Sequence, residues 1–293
     1  MPATSQQEIA ARERFAFGEN WRRFLSVLDE NRIVRAEDSV RRMLEVPDLH
    51  GKTFLDIGCG SGLFSLVARR LGARVHSFDY DLQSVACAQE LRRRYFPEDT
   101  DWRIEEGSAL DLAYLRALGS FDVVYSWGVL HHTGAMWEAL DNAAGLVAPA
   151  GKLFIAIYND QGKVSNRWRA VKRMYNRLPD SLRFVITIPA LVHFSWRSAL
   201  KDALRGRPFE TWRNQGQERG MSPWWDLIDW VGGYPFEVAK PEEILHFYSR
   251  RGFILTRLTT CGGSLGCNEY VFAKTAAAAN LERPHDLPLR PAQ

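Results

Sequence analysis

A chain of 293 residues, 46% hydrophobic and 25% charged, has room for one large domain or for a domain carrying a sizeable insertion. Its net charge of +3 singles out no class of partner, and no apolar run nears the ~18 residues that span a bilayer. The four cysteines (Cys59, Cys87, Cys261, Cys267) form neither a C-x-x-C pair nor a metal-like group with histidine. That excludes the usual zinc patterns, so no metal is expected, and it suits a reducing, cytoplasmic setting.

Residues 1–12 are polar and read as frayed, without the apolar core of a signal peptide. From Phe15 the pattern predicts two amphipathic helices. Phe17, Trp21, Phe24, Leu25 and Leu28 form one stripe, and Ile33, Val40, Met43 and Leu44 another, before Pro47 and Gly51 end the segment. An apolar run, Phe54 to Ile57, then enters a turn with Gly58, Gly60 and Gly62. A helical pattern follows, Gly72 stops it, and a second apolar run ends in Asp79. Strand, glycine turn, helix and strand with an acid at the second strand's tip is a nucleoside-site pattern: the glycines admit a ligand close to the backbone, and the helix start offers free N–H groups. Asp79 stands 19 residues beyond Gly60, near where such a site places its ribose-binding acid. The spacing is G-x-G-x-G, however, and Asp56 precedes it; a pyrophosphate would be repelled by that carboxylate, an ammonium attracted.

Further strands are predicted at Trp102–Glu105, Phe121–Trp127 and Leu153–Tyr158, with helices over Gln83–Tyr95 and Ala135–Val147 between them. This alternation makes a parallel sheet. A helix at Pro241–Tyr248 and strands at Phe253–Leu258 and Glu269–Ala273 come only after some 80 intervening residues. Between Lys163 and Arg207 that intervening stretch carries eleven Lys and Arg against Asp180 and Asp202, a local charge of +9. Trp168, Val171, Tyr175 and Leu178 share one helix face, and Phe184 to Trp196 is a largely apolar stretch broken by Pro189. A basic helix with an apolar aromatic face suits a membrane surface or an anionic ligand; it equally suits a helical cap or a homodimer face with solvated arginines. Three tryptophans and two aspartates within Trp224–Trp230 suggest a shaped wall over a pocket. Residues 275–293 are rich in alanine and proline and are expected to be disordered.

The string DIGCGSG at 56–62 resembles the first motif of class I S-adenosylmethionine-dependent methyltransferases, and VYSWGVLHHT at 124–133 is similar to their fourth. The likeness, to small-molecule methyltransferases of that class, is specific over 53–160 and holds by pattern alone over 241–274. It implies an α/β fold: a Rossmann-like, mostly parallel seven-stranded sheet with helices on both faces, the last strand antiparallel, and an α-helical insertion after strand five. The domains would be a helical lid (1–50), a cofactor-binding core (51–160), a substrate cap (161–240), the end of the core (241–274) and the tail. By position, Asp56, Gly58, Cys59, Gly60 and Gly62 would hold the methionine end of S-adenosylmethionine. Asp79 and Tyr80 would hold the ribose. Ser108 and Ala109 would meet the adenine, Ser108 replacing the family's usual acid, and Asp111 would substitute for that acid or cap a helix. Ser126 and Trp127 would flank the methionine part. Phe17, Asn20 and Trp21 become lid candidates.

A hydroxyl nucleophile must lose a proton, and histidine suits that task. His131 and His132 sit where strand four delivers residues to the reacting centre; being adjacent they point apart, so one at most is the base. Tyr158, Asn159, Asn268, Glu269 and Trp225 are the expected substrate contacts. The N-P-P-Y motif of base amine methylation, the nucleophilic cysteine of pyrimidine methylation and the paired-glutamate loop of arginine methylation are all missing. The reading is therefore methyl transfer to a hydroxyl or amine of a small acceptor, lipophilic or anionic, by a cytoplasmic protein that touches membranes at most peripherally. A cofactor-binding regulatory or assembly protein and an RNA methyltransferase are the alternatives. A nicotinamide oxidoreductase is disfavoured by the glycine spacing and Asp56.

Overall fold

The structure is a computed structural model that describes residues 5–207 and 223–275. One sheet contains β1 (Thr53–Ile57), β2 (Arg74–Asp79), β3 (Trp102–Glu106), β4 (Phe121–Trp127), β5 (Val147–Tyr158), β6 (Phe253–Thr259) and β7 (Cys267–Lys274), in the order β3-β2-β1-β4-β5-β7-β6. β7 runs antiparallel to both of its neighbours, and the pairings from β3 across to β5 are parallel. The order reverses between β1 and β4, so their onward connections part and leave a crevice beyond their carboxyl ends.

Side chains alternate across a strand, and both faces here are apolar. Phe54, Val123 and Phe154 point to the face packed by α3 (Glu30–Leu44), α4 (Leu63–Arg70) and α5 (Leu82–Tyr95). Their neighbours Leu55, Val124 and Leu153 point to the other face, under α6 (Leu112–Leu118), α7 (Met136–Gly145) and α11 (Pro241–Ser249). Helices α2 (Phe17–Val27), α9 (Phe184–Leu204) and α10 (Pro223–Gly232) line the mouth of the crevice, and α8 (Lys163–Arg177) packs against α10. A third apolar cluster joins Phe15 to Tyr175, Ile186, Ala190, Leu227 and Val231, with Trp168, Val171 and Leu178 against it. The residues placed on one face of α8 by their spacing thus share one packed layer.

Two local features differ from the sequence reading. The polar N-terminus forms a short helix, α1 (Ser5–Ala10), and Arg14 beyond it is anchored to Glu8 at 2.7 Å. Pro189 does not break the apolar stretch: it lies inside α9, which continues to Leu204. One missing N–H and one ring clash weaken a helix there, and burial of Ile186 and Ala190 on either side holds it through that point.

Candidate active site

The turn after β1 depends on glycine for two distinct reasons. Gly58 and Gly60 take φ of 71° and 54°, the left-handed region. A Cβ on Gly58 would also lie 2.3 Å from Val129, and one on Gly60 would lie 2.9 Å from the Trp21 ring. The turn is laced to the end of β2, since the N–H groups of Gly58 and Cys59 donate to the Phe78 carbonyl at 2.9 and 3.1 Å. Gly60 N–H donates to Asp79 Oδ2 at 2.9 Å, and Asp81 N–H to Oδ1 at 2.8 Å. The acid at the strand tip is therefore held by backbone alone. Gly62 serves packing: a Cβ there would press on Ala88 of α5 at 2.8 Å.

Asp56, at the end of β1, is 2% exposed. Ser65 Oγ donates to its Oδ2 at 2.5 Å, Ser77 Oγ donates to Ser65 at 2.7 Å, and Trp102 Nε1 donates to Ser77 at 2.9 Å. An indole N–H can only donate, so this buried chain has one direction and ends on the carboxylate. Burial pushes Asp56 up to about 7 and Asp79 up to about 6. Neither makes an ion pair among the described residues. Two acids at the tips of adjacent strands, Asp56 buried and Asp79 half-buried, are held by donors without a direct ion pair among the described residues and form a receptor for positive charge and for hydroxyl donors.

These groups open into a cleft of about 1960 Å³. Of the residues singled out by sequence, Asp56, Gly58, Cys59, Gly60, Asp79, Tyr80, Ser108, Ala109, Trp127, His132, Tyr158 and Glu269 line it, together with Phe17 and Trp21 of α2. Five lie elsewhere. Gly62 supports the helix, and Ser126 is buried with its hydroxyl on the Ile57 carbonyl at 3.0 Å. His131 has no exposed surface, and Asn159 and Asn268 are buried and bonded to one another at 3.1 Å. Asp111 lines the cleft and also caps α6, accepting from Ala113 and Tyr114 N–H at 3.0 Å each. The side chain of Trp225 lies outside the described residues.

The adjacent histidines part because a single 3₁₀ turn, Leu130–His132, carries both. His132 Nδ1 lies 2.6 Å from the Pro235 carbonyl, which can only accept, so Nδ1 carries the proton and Nε2 the lone pair. Burial, aided by Lys172 and Arg14, lowers His132 to about 3. His132, Tyr158 and Phe17 sit ring against ring, at 5.5 Å for His132–Tyr158 and 5.0 Å for Phe17–His132, with Trp230 6.5 Å from Tyr158. Behind them Lys172 is fully buried, its Nζ bonded to the Trp230 carbonyl and 4.0 Å from that ring's centroid.

Sequence reasoning missed Asp229. It lines the aromatic end of the cleft and accepts from Asn20 Nδ2 at 2.5 Å, which joins α10 to α2. Burial raises it to about 7. A Cβ on Gly233 would be 3.0 Å from both the Asp229 backbone carbonyl and His132 Cε1, so that glycine lets the His132 ring pack against the end of α10. The cleft thus has an acidic end near the glycine turn and an aromatic end holding one carboxylate and one imidazole lone pair.

Comparison with known proteins places this geometry. A family model described as a methyltransferase domain matches residues 28–251. A ubiquinone biosynthesis O-methyltransferase from Xanthomonas oryzae pv. oryzae is 37% identical over 112 residues, 38% of this chain and 45% of the relative. The enzyme of that name from Caulobacter vibrioides is 34% identical over 115 residues, 37% and 42% of the two chains. The match thus spans less than half the length of these curated relatives. Magnesium protoporphyrin IX methyltransferase from Synechocystis PCC 6803 with bound SAH superposes with a TM-score of 0.53 at 14% identity, over 88% of this chain and 94% of that one. An O-methyltransferase family protein from Burkholderia thailandensis gives 0.51 at 16% identity, over 93% and 63%. At such identities the likeness shows the fold. With the family model running from just after α2 to just past α11, the chain belongs to the methyltransferase-domain family, the class I S-adenosylmethionine-dependent methyltransferases.

Proposed function

We propose that this protein moves a methyl group from S-adenosylmethionine to a hydroxyl of a small acceptor, releasing S-adenosylhomocysteine. One observation carries the reading: a glycine turn set between two carboxylates, the buried Asp56 and the half-buried Asp79, in a cleft with a second, aromatic compartment. When bound, S-adenosylmethionine supplies an electrophilic methyl group on a sulfonium. Asp56 would receive its ammonium and Asp79 its ribose hydroxyls, while Ser108 and Ala109 face the adenine. Arg14, stacked 4.9 Å over Tyr80 and bonded to the His132 carbonyl at 2.8 Å, covers the cleft from the N-terminal side. With α2 it makes residues 1–50 a lid, and α8 to α10 make the insertion a cap.

A hydroxyl acceptor needs a proton acceptor near neutrality. Asp229 fits, since burial holds its proton affinity near 7. His132, lowered to about 3, binds a proton poorly but offers Nε2 as a hydrogen-bond acceptor that orients the hydroxyl. A proton acceptor at this end favours oxygen over an amine that arrives already neutral, and the O-methyltransferase relatives agree with that choice. The test is incubation with methyl-labelled S-adenosylmethionine and a panel of phenols, aliphatic alcohols and amines. Label is expected in hydroxylated acceptors. Tight binding of S-adenosylhomocysteine with no transfer to any acceptor would instead support a regulatory cofactor-binding protein.

A further inference from the structure

α9 presents three different faces. Phe184, Val185, Ile188, Val192 and Trp196 are 55%, 56%, 51%, 59% and 51% exposed. At about 100° per residue these five fall within an arc of about 120°. Arg197, Lys201 and Arg205 lie on the opposite side, past the part of the helix that Ile186 and Ala190 bury. Between these faces, Leu191, Phe194, Ser195 and Ser198 line the cleft. A bare apolar arc of this breadth on a surface helix is not solvated at no cost. The segment 183–207 carries five Lys and Arg against Asp202, which is buried. Among the described residues no helix is long and apolar enough to cross a membrane. Leu200 and Leu204, 53% and 80% exposed, carry apolar surface round to the cationic side, so α9 offers a bilayer an apolar arc with cations gathered towards its C-terminal end, as an interfacial helix on an anionic surface does.

We infer that α9 docks flat on an anionic lipid surface, its apolar arc in the headgroup boundary, so that a lipophilic acceptor passes from the bilayer along Leu191 and Phe194 into the aromatic end of the cleft. The docking stands on α9 alone; the delivery of an acceptor rests on the methyl transfer proposed above. The arc borders the cleft directly, since cleft-lining Ser195 lies one turn from Val192 and next to Trp196 on the helix. A lipid-soluble molecule leaving the bilayer there would meet Phe194, whose ring lies 5.4 Å from that of Trp230.

The experiment is co-sedimentation of the full chain with phosphatidylcholine vesicles, with and without about one-third phosphatidylglycerol, at low and high salt. The protein pellets with anionic vesicles and is released by salt. Ile188→Glu with Val192→Glu, both at solvent-facing positions, weakens pelleting at least tenfold, and Arg197→Glu with Lys201→Glu does so on anionic vesicles. Titration with S-adenosylhomocysteine stays unchanged in both pairs, which separates loss of docking from loss of the cofactor site. With a lipophilic phenol carried in the vesicles the glutamate pair slows transfer, whereas transfer to a water-soluble phenol is unaffected. Absence of pelleting by the parent protein, or pelleting untouched by the glutamate pair, overturns the proposal. So does a dimer in sedimentation velocity that the same pair dissolves while vesicle binding is absent, because the arc would then be a subunit interface.

Discussion

Asp56 and Asp79 keep their protons to about pH 7 and 6 because they are buried, whereas an unfolded aspartate ionises near 4. Between those limits these two acids bind more protons in the folded, ligand-free chain than in the unfolded one, so the stability they contribute is lost as pH rises from about 4 to 7, while His132, held at about 3, contributes in the opposite sense. A cationic ligand beside the carboxylates needs them ionised, so its affinity changes the opposite way. Affinity for S-adenosylmethionine should rise with pH through 6–7, approaching tenfold per unit where one acid must lose its proton. Asp56→Asn should weaken binding and flatten the profile, as calorimetry between about pH 5 and 8 would show. The second prediction concerns Trp102. Its indole N–H begins the chain through Ser77 and Ser65 to Asp56, and Trp102→Phe leaves buried hydroxyls short of a donor. A loss of about 1–3 kcal/mol is expected, read as a lower Tm, with cofactor affinity falling as well. In sequence Trp102 was legible only as the start of a strand, because a hydrogen bond to a residue 25 positions away leaves no local pattern.

Elements carry the parts of the site that no short motif encodes. The glycine turn, both flanking strands and their acids could be read from spacing, since a βαβ unit closes within one stretch of chain. The acceptor end could not. Asn20 of α2 meets Asp229 of α10 across 209 residues, and the string Trp224–Trp230 suggested only a wall. Likewise His131 and His132 were equivalent in sequence, and the 3₁₀ turn separates them by burying one and leaving the other on the cleft. Pro189 read as a break because local propensity disfavours it, and tertiary burial overrides that preference. The Asn20–Asp229 clasp yields a prediction of its own. Asp229→Asn keeps the shape but cannot take a proton, so kcat should fall by ~10²–10⁴ while the affinity for S-adenosylhomocysteine holds. A variant with unchanged kcat would remove Asp229 from the chemistry.

At the scale of the molecule, one parallel sheet with a single reversal of strand order puts both compartments at the same edge. The parallel sheet followed from alternating strand and helix patterns; its strand order did not. A helical lid and cap were expected from residues 1–50 and 161–240, but their shared packing was not legible, because its residues lie far apart in sequence and meet only when folded: Phe15 of the N-terminal segment packs in one cluster with Tyr175 and Val231. A ligand bridging the core and this layer should stabilise the whole. The most direct measurement is a calorimetric titration with S-adenosylhomocysteine, with NAD run beside it. The account predicts saturable one-to-one binding of S-adenosylhomocysteine, lost in Asp79→Ala, and no heat from NAD. Binding of NAD with none of S-adenosylhomocysteine would contradict it.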